Sequence, residues 1–166
     1  MSEIFPYQLV GFLDKEPVVG EPVYSGENGW YAQIALKRRF AIESLTEKEL
    51  FRLVGDYCSS VSPLEIVVGK LVKPKRMPVS VLEVEPTDEL LNFHNGFIEA
   101  LGEYMKSRFP ERDGDNYYPH ITVEYDGKNV INANLYAEQT FTLYNVWVLK
   151  DVTDDNSEAY ASFPLS

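Results

Sequence analysis

Strand-like segments in this 166-residue chain follow one another too closely for parallel connections. Leu64–Val72 and Val79–Val84 are rich in β-branched residues, and only Lys73–Pro78 separates them. A parallel crossover takes a dozen or more residues, whereas an antiparallel pair closes through a short turn. Further strands read at Phe5–Leu13, Trp30–Phe40, Tyr117–Tyr125, Thr140–Val152 and Ala159–Pro164. Helical patterns fall between them. Thr46 and Glu49 form a capping box, Leu45 and Leu50 a hydrophobic staple, and Leu50, Leu53, Val54, Tyr57, Cys58 and Val61 recur at helical spacing. Pro63 ends that helix. A second, longer helix opens at Pro86–Glu89 and is predicted to run to about Phe109. Residues 110–116 read as a polar loop, and Asp126–Glu138 as a loop with at most a short helix. The order β-β-α-β-β-α-β-(α)-β-β predicts an α+β fold of antiparallel sheets with outer helices. At this length a single domain, residues 1–166, is expected.

Two strands carry the chemistry. Side chains alternate faces along a strand, so His120 and Thr122 point one way while Ile121 and Val123 enter a core. An imidazole beside a hydroxyl can hold a phosphate. The earlier strand has the same alternation, Ala32 to Leu36, with Gln33 and Ala35 at the equivalent positions. Extending it puts Gln33, Ala35, Lys37 and Arg39 on one face, and His120, Thr122, Glu124 and Asp126 on another.

Charge narrows the partners. With 15 basic and 26 acidic residues the net charge is −11, a field that repels long nucleic acids. A small nucleotide in a locally basic cleft stays compatible with it. Lys73–Arg76 is the densest basic patch, readable as a solvated hairpin tip or a phosphate-steering rim. The single cysteine, Cys58, excludes an internal disulfide and sits on an apolar helix face as filler. His94 falls in line with Leu90, Phe97, Leu101 and Met105 and reads as a core histidine. The chain opens without a basic segment leading into an apolar run, and no apolar stretch reaches membrane-spanning length. The cytoplasm is the expected location, with no membrane partner. No glycine-rich phosphate loop is present.

The His120-x-Thr122 strand, its degenerate echo at Gln33-x-Ala35, and the order of elements around them resemble the 2H phosphoesterase superfamily, which includes 2′-5′ RNA ligase-like and cyclic nucleotide phosphodiesterase proteins. The resemblance implies two similar lobes of antiparallel sheet with outer helices around a central cleft. It implies two histidines flanking a phosphodiester, one taking a proton and the other giving one, with hydroxyls holding the phosphoryl oxygens. That chemistry needs no metal or organic cofactor.

Carried onto this chain, the resemblance makes His120 and Thr122 the catalytic candidates and leaves Gln33 as a positional hydrogen-bonding group. Lys37, Arg39, Tyr118 and Tyr125 are candidate substrate contacts, the tyrosines by stacking on a base. Glutamine cannot exchange protons as histidine does, and losing one general acid or base costs roughly 10²–10⁴-fold in rate. The leading expectation is therefore a protein that binds a small nucleotide or cyclic phosphate with weak or no turnover. The alternatives are an active phosphodiesterase on 2′,3′-cyclic phosphates or 2′-5′ linkages using His120, and a non-catalytic scaffold for a protein partner.

Overall fold

The computed structural model describes residues 4–24, 30–75, 78–153 and 156–166. Strand β1 (Tyr7–Phe12) is followed by β2 (Gln33–Ile42), helix α1 (Glu47–Ser59), β3 (Leu64–Val72) and β4 (Val81–Val84). Helix α2 (Asp88–Leu101) then leads to β5 (Met105–Ser107), β6 (His120–Thr122), β7 (Glu124–Tyr125) and β8 (Lys128–Asn129). The chain closes with β9 (Thr140–Leu143), β10 (Asn145–Thr153) and β11 (Asn156–Pro164). Every described strand pairing is antiparallel, as the short connections require.

Two sheets carry the architecture. One has the order β11-β10-β1-β2-β5, the other β6-β4-β3-β9. All of β1 is buried, because it lies between β10 and β2 with a hydrophobic cluster on each face. The larger cluster joins the sheets, gathering Leu36 and Phe40 of β2, Ile66 of β3 and Ile121 of β6 with buried residues of both helices. Helix α2 packs on β2 and β3, while α1 packs on β11 and α2.

The helix starts follow the sequence. Thr46 accepts from the Glu49 amide at 3.1 Å and Thr87 from the Leu90 amide at 3.2 Å. Three expectations change. Helix α2 stops at Leu101, because Gly102 takes φ 52 and turns the chain into a short helical turn and then β5. The expected strand over residues 140–152 is two strands in different sheets, divided at exposed Tyr144. The motif strand is also shorter, β6 ending at Thr122, and β7 and β8 form a separate hairpin. Asp126 and Gly127, at φ 52 and 75, make its two-residue turn. In the basic patch, Lys73 and Lys75 lie in the β3–β4 connection; Arg76 is outside the described residues.

Candidate active site

Strands β2 and β6, one from each sheet, face each other across a cleft of about 690 Å³. Gln33 and Ala35 line it from β2, and His120 and Thr122 from β6. Beyond each of these pairs the alternation breaks. Ala35 pairs with Val10 and Lys37 with Leu9, so Leu36 is an extra residue in β2. The bulge sends Lys37 into the interior, where it is 1% exposed and bonded to Asp113, and turns Arg38 into the cleft. After Thr122 the amides of Val123 and Glu124 both donate to the Ser80 carbonyl, a second irregularity, and Tyr125 lines the cleft where alternation calls for Glu124.

The bulge in β2 is pinned by side chains. The Tyr117 hydroxyl donates to the Ala35 carbonyl at 2.7 Å, and His94 Nδ1 lies 2.8 Å from the Leu36 carbonyl. The Gly114 amide donates to His94 Nε2 at 3.1 Å, so Nδ1 must carry the proton and donate to Leu36. Burial, the largest influence, lowers the His94 pKa and keeps the ring neutral. The ring stacks on Tyr117 at 4.0 Å. His94 is thus a buried clamp that fixes the direction of Arg38, in keeping with its place on the apolar stripe.

His120 has a different environment. Its Nδ1 donates to the Tyr118 carbonyl at 2.7 Å, which leaves Nε2 with the lone pair as the nitrogen available to a ligand. Burial lowers its pKa; the Tyr118 carbonyl opposes this, and the charges of Arg38 and Arg112 add to it. At neutral pH the ring is therefore a neutral base. The Tyr118 ring stacks on it at 5.2 Å. The Thr122 hydroxyl makes no hydrogen bond among the described residues.

Cations and aromatic rings complete the walls. Among the described residues, Arg38, Arg39, Arg108 and Lys128 line the cleft against a single carboxylate, Asp126. Arg39 is paired with Asp151, which also accepts from the Ser157 hydroxyl. Arg38 and Arg108 have no carboxylate partner among the described residues. At the other end Trp30 meets the Tyr24 ring edge-on at 4.7 Å and the Tyr125 ring at a tilt at 5.2 Å, an aromatic cluster that offers ring surface to a base. The Gln33 carboxamide is shielded from solvent, and neither its oxygen nor its nitrogen has a partner among the described residues.

No protein-family model and no curated protein matches the sequence. Solved structures do match. One described as a phosphoesterase has TM-score 0.61 at 11% identity, covering 99% of this chain and 99% of that one. TT0787 of Thermus thermophilus gives 0.61 at 12%, over 96% of this chain and 97% of its own. E. coli LigT, a 2H phosphoesterase solved with 3′-AMP, gives 0.55 at 13%, over 99% and 97%. The chain has a 2H phosphoesterase-like fold.

Within the cleft of this 2H phosphoesterase-like fold the sequence-derived residues divide. His120, Thr122, Gln33, Arg39 and Tyr125 line one space. Tyr118 lies beyond His120, on an adjoining cavity. Lys37 lines neither, because the bulge reverses its direction and buries it against Asp113. Sequence reading missed Arg38, Arg108, Phe109, Tyr24 and Trp30 as cleft residues. Arg108 and Phe109 reach the cleft because the chain turns at Gly102 and β5 then leads both to it, although the apolar spacing of α2 continues to Met105.

Proposed function

We propose that this protein holds a small nucleotide or cyclic phosphate in the cleft between β2 and β6, with weak or no turnover. The observation that carries this reading is the inequality of the facing strands. One offers a neutral imidazole and a free hydroxyl, His120 and Thr122; the other offers Gln33 and Ala35. A phosphate between them takes hydrogen bonds from Thr122, and charge from Arg38 and Arg108. Trp30 and Tyr125 cover the base. LigT is solved with 3′-AMP and with ATP, which fits a nucleotide here.

The same geometry supplies one proton-transfer group. His120 Nε2 takes a proton from an attacking water or hydroxyl, and the leaving oxygen has no imidazole opposite it. A second reading, a slow phosphodiesterase with water as the acid, rests on the orientation of His120, whose Nδ1 donates to the Tyr118 carbonyl and leaves the Nε2 lone pair to accept a proton.

The test is a panel of 2′,3′-cyclic nucleotides and 2′-5′ dinucleotides, followed by hydrolysis and by thermal shift, with His120→Ala in parallel. Nucleotide should raise the melting temperature of the wild type, with little or no turnover. Turnover that disappears in the variant establishes the second reading. No stabilisation and no turnover with any ligand refutes both.

A further inference from the structure

The ring of Phe109 gathers three guanidinium groups. Arg38 lies 5.7 Å from its centroid, and Arg108 and Arg112 lie 5.1 Å each. None of the three has a carboxylate partner among the described residues. In a chain of net charge −11 carboxylates are abundant, so leaving three cations together unpaired is a cost that an arriving anion removes. Cation–π contact with one ring offsets only part of it.

The three arginines do not face the same space. Arg38 and Arg108 line the cleft already described, whereas Arg38 and Arg112 line an adjoining cavity of about 700 Å³. Arg38 and His120 border both, so the two spaces meet at the proposed phosphate position. Lys75 adds a third cation to the second cavity, and Glu111 is its only lining carboxylate among the described residues. A single phosphate beside His120 and Thr122 engages Arg38 and Arg108 and leaves Arg112 and Lys75 without an anion.

We infer that the ligand carries two phosphates joined by a short link, the first at His120, Thr122 and Arg38 and the second at Arg112 and Lys75. This rests on the nucleotide reading above and specifies its ligand class. A nucleoside diphosphate and a short oligonucleotide with a terminal 3′-phosphate both present this chemistry. Arg112 is the specificity-determining residue, and its planar fork suits a terminal phosphate.

Calorimetric titration with AMP, ADP and 3′-phosphorylated ApA tests the inference in wild type, Arg112→Gln and Arg112→Lys. Arg112 is exposed, so the fold survives either change. At least one two-phosphate ligand should bind about tenfold or more tightly than AMP. Arg112→Gln should reduce that advantage to about twofold, and Arg112→Lys should restore part of it. Preference for ADP identifies a polyphosphate, and preference for the dinucleotide identifies an oligonucleotide end. Equal binding of all three ligands by the wild type, or an advantage that survives Arg112→Gln, overturns the second site and leaves nucleotide binding standing. No binding of any ligand overturns both.

Discussion

Lys37 and Asp113 form a salt bridge of 3.0 Å behind the cleft wall, with Lys37 1% and Asp113 19% exposed. Asp113 also accepts from the Ser107 hydroxyl at 2.6 Å, so β2, β5 and the segment leading to His120 are tied at one point. Burial, the largest influence, and the Arg38 charge lower the Lys37 pKa against the opposing pull of Asp113, which identifies the ammonium as the poorly solvated partner.

The two halves of that pair should therefore respond unequally to substitution. Asp113→Asn leaves a buried ammonium without its counter-charge and should cost about 3–5 kcal/mol. Lys37→Met keeps the apolar stem, and Asp113 retains Ser107 and some water, so the loss should be clearly smaller. Urea denaturation of both variants checks this; equal losses would contradict the asymmetry.

Gln33 is expected to trade stability against ligand binding. Its unpartnered carboxamide carries a desolvation penalty of about 1–3 kcal/mol. Gln33→Leu should raise the denaturation midpoint. The double change Gln33→His with Ala35→Thr supplies the absent acid and hydroxyl, and should raise hydrolysis of adenosine 2′,3′-cyclic phosphate by about 10²-fold or more. An unchanged rate in a folded double variant would mean that the facing strand does not reach the reacting phosphate.

Both histidines should titrate below the ordinary value of about 6.5. For a histidine with a lowered folded pKa, the unfolded chain binds the proton first as pH falls. The stability these rings contribute is thus complete above about pH 6.5 and is lost as pH drops through their folded midpoints. NMR titration gives those midpoints directly; a value at or above 6.5 for either ring counts against its assigned environment.

Trp30 is expected to discriminate bases from bare phosphate. Base–aromatic stacking is worth about 1–3 kcal/mol, so Trp30→Ala should weaken AMP about tenfold or more and inorganic phosphate hardly at all. Parallel losses for the two ligands would place the base elsewhere.

Hydrophobic alternation and short connections made the antiparallel α+β plan legible, and the capping box at Thr46 with the acidic opening at Pro86–Glu89 placed both helix starts. His120 and Thr122 were legible because alternation holds over a run of three residues. It fails at the next step in both strands. The bulge at Leu36 depends on the Tyr117 hydroxyl and the His94 ring, which come from distant parts of the chain. No local pattern around Lys37 and Arg38 records those partners, so the exchange of one cation for the other was invisible. Arg108 and Phe109 were hidden differently: the apolar period of α2 continues past Gly102, and only the backbone turn there redirects the chain to β5.

Everything proposed for the cleft depends on a nucleotide phosphate sitting against Nε2 of His120. The chain has two histidines, so a ¹⁵N-histidine spectrum reads His120 and His94 separately. Titration with adenosine 2′,3′-cyclic phosphate should shift the His120 Nε2 resonance in a saturable way and leave His94 nearly unmoved, with the ligand intact or only slowly consumed. A His120 signal that stays unchanged while nucleotide binds would refute that placement.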